Sequence, residues 1–394
     1  MKVLDGVTVV DFTQAYSGPF CTMQLADFGA RVIKIERRGL GDQSREWTPF
    51  KNEHSGYYAA INRNKESISL DISTKEGADI AKRMVKEADI VVENFKCGTM
   101  EKMGLGYEDL KAINPGIIYA SISGFGQYGP LRNLAAYDNV VQAMCGIMDM
   151  TGFPDGVPTR VGPAIGDNFT GLTMALGIAM AYFNKLNTGK GQFLDVAMFD
   201  AIFGILESPI LFWNLLGEKT TRCGNNDAAT LVPYDVYQCK DGYFSAGLAS
   251  DSGWDKFCGV IEMPELIDDP RFKTNELRCK NYSIITPIIS KYFTGKTREE
   301  LQEAFTSANI PNAPVLTVPE VMHHPQIKER DMLIELDDPG VGNYLAMGNP
   351  MKLDKTPAEL LFGAPLMGQD TDKILKSFGY SETEIKDFYA KEIV

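Results

Sequence analysis

Along the first 125 residues, apolar positions fall into short blocks that alternate between strand-like and helix-like spacing. Val7–Phe12 (Val-Thr-Val-Val-Asp-Phe) is β-branched and almost continuously apolar, the pattern of a strand covered on both faces. Ser17-Gly18-Pro19 then punctuates the chain. The fixed φ of Pro19 suits the opening of a helix over Phe20–Phe28, and Gly29 suits its end. Arg31–Glu36 reads as a second strand, Gly77–Ala88 as a helix, Ile90–Val92 as a third strand and Pro115–Ile122 as a fourth. This β-α-β-α order predicts an α/β fold built on a doubly wound parallel sheet.

Beyond residue 130 the spacing predicts helices over 138–150 and 170–185, and Asp195–Leu215 reads as one long, mostly apolar helix. Polar, turn-rich sequence at Gly217–Thr230 marks a change of character. Pro233–Leu248 follows as a hairpin around Lys240-Asp-Gly242, with helical patterns at 253–260 and 281–308 and a Pro-rich strand at 310–316. Residues 330–350 look like β-structure, and 371–394 carry two short amphipathic helices. The division expected is a large domain over 1–215, a small α/β domain over 225–325 and a segment over 330–394 that returns to the large one.

Composition narrows the function. With 394 residues, 44% of them apolar and 23% charged, the chain has room for two ordinary globular domains. A net charge of -13 argues against a broad basic face for nucleic acid, so any anionic ligand must be held by local cations. The 7 cysteines are odd in number and form no C-x-x-C pair, which predicts neither zinc site nor disulfide framework and fits a reducing cytoplasm. No charged-then-apolar leader opens the sequence, and the longest apolar run, 171–183, is too short to span a bilayer. A cytoplasmic protein without membrane or nucleic-acid partners is expected.

Gly124-Phe-Gly-Gln-Tyr-Gly129 formally matches G-x-G-x-x-G, but Pro130 and a polar loop follow where a phosphate-binding helix should begin. The first strand–helix turn offers only Ser17-Gly18-Pro19. Nicotinamide and flavin chemistry is therefore not expected. Cations instead gather in loops that follow strands: Arg37 and Arg38 before Gly39-Leu-Gly41, Lys96 after Asn94-Phe95, and Arg63 and Lys65 in Asn62-Arg-Asn-Lys. Against the plainer reading of solvated surface charges, several such loops at one sheet edge in an acidic protein suit a polyphosphate cofactor. Histidine is scarce, with only His54, His323 and His324, and no G-x-S-x-G motif occurs. Cys97 and Cys145 are of a type more often structural than nucleophilic. The remaining candidate is Asp167 in Pro163-Ala-Ile-Gly-Asp-Asn-Phe-Thr-Gly171, ahead of a long apolar helix. There Asp167 or Asn168 would serve as an N-cap, or Asp167 would be an ionised nucleophile at a positive helix end.

Nine motifs in order carry a resemblance that runs through the whole chain. They are Leu4-Asp-Gly-Val-Thr-Val-Val-Asp-Phe, Ser17-Gly-Pro, Phe28-Gly-Ala-Arg-Val-Ile-Lys-Ile-Glu-Arg, Glu93-Asn-Phe, Ser123-Gly-Phe-Gly-Gln-Tyr-Gly-Pro, Tyr137-Asp-Asn-Val-Val-Gln-Ala, Gly166-Asp-Asn-Phe-Thr-Gly, Thr188-Gly-Lys-Gly-Gln-Phe-Leu-Asp-Val and Gly368-Gln-Asp-Thr. The sequence resembles the class III CoA-transferases. That resemblance implies that Asp167 is the nucleophile and that backbone amides near Gly166 stabilise oxyanions. It also implies that coenzyme A meets Gln14, Ala15, Tyr16, Arg37, Arg38, Leu70, Asn94, Phe95, Lys102 and Tyr137. The implied partners are an acyl-CoA donor, a carboxylic acid acceptor and a second copy of the chain in an interlocked homodimer, with no metal.

Within the family, the Gln14–Tyr16 turn without histidine and the absence of a glycine-rich run over 217–250 point away from oxalate and formate. Tyr16 with Met144, Met148, Met150 and Phe153 suits a larger or more apolar acid, and Arg160 is the candidate cation for a dicarboxylate. The same fold houses α-methylacyl-CoA racemases, whose proton-transfer histidine is replaced here by Tyr137, a poor base at neutral pH. A non-catalytic acyl-CoA-binding protein is the third reading.

Overall fold

The computed structural model describes residues 2–227 and 229–394, which form two compact units. The first comprises the chain up to Ile147, Arg160–Ile210 and Pro325–Val394; the second comprises Met148–Thr159 and Leu211–His324.

In the first unit six strands form one sheet: β1 (Thr8–Asp11), β2 (Arg31–Glu36), β3 (Lys65–Ser69), β4 (Ile90–Glu93), β5 (Ile118–Ser123) and β6 (Phe193–Ala197). Their order is β3-β2-β1-β4-β5-β6, and every neighbouring pair is parallel. Side chains alternate between two cores, as the strand period of 2 requires. Val10, Ile33 and Val91 pack with Ile80 and Met84 of the Lys75–Glu87 helix. Val9, Val32 and Val92 pack with Leu25 of the Ser17–Asp27 helix and with Met174 and Ile178 of the Ile165–Thr188 helix. Cover on both faces explains why these strands read as unbroken apolar runs. Leu333–Leu336 and Tyr344–Met347 pair antiparallel, and Ile374, Leu375 and Ile385 of the last two helices complete the first core.

Two expectations fail here. Asp195–Leu215 is not one helix, because Gly189 closes the preceding helix in the left-handed region (φ 71) and the chain continues as edge strand β6. Helices Met198–Phe203 and Ser208–Leu216 follow it. Strand β3 was not predicted at all. Of its five residues only Ile68 is a large apolar, and its fully buried Lys65 and Ser67 join a polar network that hydrophobic spacing cannot register.

The second unit holds a three-stranded antiparallel sheet, with hairpin strands Tyr234–Cys239 and Gly242–Gly247 and a third strand, Asn312–Pro314, beside Gly242–Gly247. Phe244, Phe257, Phe293 and Phe305 form its core. No helix among the described residues is long and apolar enough to cross a membrane.

Candidate active site

In an open parallel sheet, connections to the two sides diverge where the strand order reverses, and a crevice opens beyond the carboxyl ends there. The order places that point between β1 and β4. Phe12–Ser17 leaves β1 and Asn94–Thr99 leaves β4, and both line two adjoining cavities of about 510 and 450 Å3. Gln14, Gln43, Phe95 and Thr99 belong to both walls. The larger cavity is walled by Arg37 and by apolar Ile35, Leu40, Leu70, Ile72 and Met103. The other holds Ala15, Tyr16, Ser17, Trp47, Asn94, Lys96, Arg132, Tyr137 and Asp167.

Asp167 lies in the first turn of the Ile165–Thr188 helix, which begins ahead of the predicted residue 170. It is not the N-cap. Ala164 holds that position without a side-chain bond, and Asp138 supplies the cap from another helix. Asp138 Oδ1 accepts the Gly166 amide at 2.7 Å, while its Oδ2 accepts Gln142 Nε2 at 2.7 Å. A Cβ on residue 166 would stand 2.9 Å from that Oδ1, so glycine allows the close approach. Asn168 also does not cap; its Oδ1 accepts the Tyr16 hydroxyl at 3.0 Å.

Burial raises the Asp167 carboxyl to about 7, and the nearby Asp138 charge adds to the rise. The Ser17 hydroxyl and amide, at the start of the Ser17–Asp27 helix, hydrogen-bond it and pull the other way. Loss of water thus outweighs the helix ends in setting the proton affinity of this carboxyl. Glu93, buried at the end of β4, is likewise pushed up to about 7 by burial, and it accepts the Phe95 amide at 2.8 Å.

Eight of the ten cofactor positions named from sequence line the cavities. Arg38 instead donates Nε to the Val394 carbonyl at 3.1 Å and sits 3.4 Å from Glu392, and Lys102 is exposed outside both walls. Asn94 is present but engaged: its side-chain amide exchanges two bonds with the Gln14 main chain, at 2.9 and 2.8 Å. Arg63 and Lys65 are corrected as ligand cations. Both are buried, Arg63 against Asp27 at 2.7 Å and Lys65 against Asp11 at 3.2 Å.

Sequence reasoning missed Ser17, Trp47, Tyr57 and Asp138. Tyr16, Tyr57 and Trp47 form a run of aromatic contacts with centroids 5.6 and 5.2 Å apart. No motif spacing marks such a run of contacts; three rings clustered within 42 residues of one another were the only signal. Ser17 reads in sequence as punctuation ahead of the helix, whereas it is the helix's first residue, and its contact with Asp167 is tertiary.

The family model described as CoA-transferase family III matches residues 4–371. The acetyl-CoA:oxalate CoA-transferase of Acetobacter aceti is 39% identical over 383 residues, which cover 96% of this chain and 97% of that one. The succinyl-CoA:glutarate CoA-transferase of Mus musculus is 36% identical, with 100% and 91% covered. A CAIB/BAIF family protein from Brucella suis superposes with a TM-score of 0.85 at 36% identity, over 96% of this chain and 99% of that structure. The chain therefore belongs to CoA-transferase family III, and it is a class III CoA-transferase.

Proposed function

We propose that Asp167 carries the transfer covalently. Its carboxylate attacks the acyl-CoA carbonyl, the C–S bond breaks, and CoA thiolate leaves an aspartyl–acyl anhydride. The thiolate then attacks the aspartyl carbonyl, releasing the donor acid and leaving an aspartyl-CoA thioester. The acceptor carboxylate attacks that thioester to form a second anhydride. Attack of the thiolate on the acceptor's acyl carbon regenerates Asp167, and no thioester is spent on water. The observation that supports this reading is that Asp167 lines one of two adjoining cavities while Arg37 and an apolar wall line the other. That arrangement suits a long ligand with a nucleotide at one end and a reacting sulfur at the other.

The Gly166 amide, expected as an oxyanion donor, is already taken by Asp138. The Tyr16 amide meets no acceptor among the described residues and is the donor better placed for that task. The acids named for the two relatives, oxalate and glutarate, both carry two carboxylates, so oxalate, disfavoured above from the Gln14–Tyr16 turn, returns as an acceptor to test. A dicarboxylate acceptor is supported here by Arg132, an exposed guanidinium that lines the Asp167 cavity. Arg160 points its Nη1 at the Val161 and Gly162 carbonyls. Dimerisation is supported by the apolar face that the Asp167 helix leaves uncovered.

Intact-mass analysis of wild type and Asp167→Ala after incubation with acetyl-CoA or succinyl-CoA tests the reading. A hydroxylamine-labile acyl or CoA adduct on wild type alone, discharged by oxalate or glutarate, is expected. Deuterium exchange at the α-carbon of a branched acyl-CoA without any adduct would establish the racemase reading instead.

A further inference from the structure

The loop that leaves β1 is pinned at successive peptide groups. The Thr13 amide donates to Asp11 Oδ1 at 2.9 Å, and the Thr13 carbonyl accepts Lys34 Nζ at 2.8 Å. Gln14 is held on both sides by Asn94, and the Ala15 amide donates to Asp42 Oδ1 at 3.0 Å. That last bond falls on a residue with φ 67, a conformation that a Cβ disfavours. Asp42 is 2% exposed and Lys34 0% exposed, and Lys34 Nζ stands 2.7 Å from Asp42 Oδ2. Oδ1 also takes the Ser44 amide at 2.8 Å and the Ser44 hydroxyl at 2.7 Å, while the Asp42 amide donates to Glu36 Oε2 at 3.0 Å. The two oxygens of this carboxylate are thus divided, one on a buried ammonium and one on a strained peptide.

We propose that Asp42, paired with Lys34, is a positioning residue for the transfer: it keeps Ala15 left-handed and so presents Tyr16 and Ser17 to Asp167. The inference rests on Asp167 being the nucleophile. A buried ion pair contributes little net stability, because desolvation of two charges offsets their attraction. What an apolar pair of similar volume could not supply is the acceptor for the Ala15 and Ser44 amides. Tyr16 and Ser17 line one cavity with Asp167, Asp138 holds the preceding Gly166 amide, and Tyr57 of the Gly56–Asn62 helix interacts with Asp167 electrostatically. Of these, Ser17 is the one that favours the carboxylate. Displacement of Ser17 therefore moves the titration of Asp167 upward.

Asp42→Asn keeps the side-chain shape and an Oδ1 acceptor but removes the charge facing Lys34. Ser44→Ala removes one hydroxyl donor and spares the pair, and it decides the matter should Asp42→Asn fail to fold. Both are assayed with whichever of acetyl-, succinyl- and glutaryl-CoA loads the wild-type chain fastest. For Asp42→Asn we expect kcat to fall about 30-fold with the thioester KM moving less than about threefold, and for Ser44→Ala a fall of about threefold. The acid limb of kcat should move upward in both, and amide exchange over residues 13–20 should quicken. Unchanged kcat and acid limb in both variants, with Asp167→Ala inactive, would overturn the positioning role alone. A change confined to KM would overturn it too, since Asp42 would then merely shape the cavity it lines. Transfer that survives Asp167→Ala, or failure of all three thioesters to load the wild type, would overturn the nucleophile reading itself.

Discussion

A carboxylate must be ionised to attack a thioester, yet burial and Asp138 hold Asp167 near 7. Within the proposed mechanism this has two consequences of opposite sign. Activity needs the anion, so kcat/KM should climb with pH through about 7 and level off above it, which a pH–rate profile reads directly. Stability runs the other way. The folded pKa lies above the ordinary value of 3.8, so the folded state binds the proton more tightly than the unfolded state does. The contribution is fully present below about 4 and is lost as pH rises through about 7. Asp167→Asn, which cannot ionise, should exceed wild type at pH 8 by on the order of 2–4 kcal/mol, with the difference vanishing near pH 4, as read by urea unfolding. The nucleophile was legible in the sequence because its motif is local. Its titration was not, because burial, its main cause, is set by the whole site, and Asp138 lies 29 positions away and comes close only through the Gly166 contact.

Between elements, the critical approach is that of the Ser17–Asp27 and Ile165–Thr188 helices. A Cβ at Gly171 would meet the Ser17 carbonyl oxygen at 2.7 Å and the Phe20 ring at 3.0 Å. The first obstacle is backbone and cannot swing aside, so Gly171→Ala must part the helices and draw Ser17 from Asp167. A cost of about 1–3 kcal/mol and a loss of about 10-fold or more in kcat are expected, measured by denaturant unfolding and steady-state transfer. Gly177→Ala on the same helix is the control. Its Cβ meets only the end of the Leu194 side chain, at 3.0 Å, and its gain in helix propensity should leave stability level or higher.

Elements were readable wherever burial is two-faced and apolar, as in Arg31–Glu36, which was placed to the residue. They were not readable where charge is buried. Lys65 and Ser67 in β3, and Asp195 in β6, break the pattern that would have revealed those strands, and sheet pairing overrides it. The turn after β1 was legible as a functional place, whereas the Asp42 clamp on it was not, since nothing in Gly-Asp-Gln-Ser announces which peptide it will hold.

For the molecule as a whole, the Asp167 helix carries an uncovered row at helical spacing: Leu172, Leu176, Met180, Phe183 and Leu186, 41–69% exposed. Patches of this kind on a folded chain mark interaction surfaces, and the homodimer proposed above would cover this one. Met180→Glu with Phe183→Glu should convert a dimer to monomer or to aggregate in size-exclusion chromatography with light scattering. The wild-type Tm should rise with protein concentration.

The interleaving of the two units has a consequence for how the chain is made. Met148–Thr159 and Leu211–His324 bracket the segment that carries Asp167, and Pro325–Val394 is still owed to the first unit when the second is complete. Domains usually finish in the order in which they leave the ribosome. Here the unit that begins first must finish last. Its core lacks Ile374, Leu375 and Ile385 until the Thr371–Ser377 and Glu382–Ala390 helices have been made.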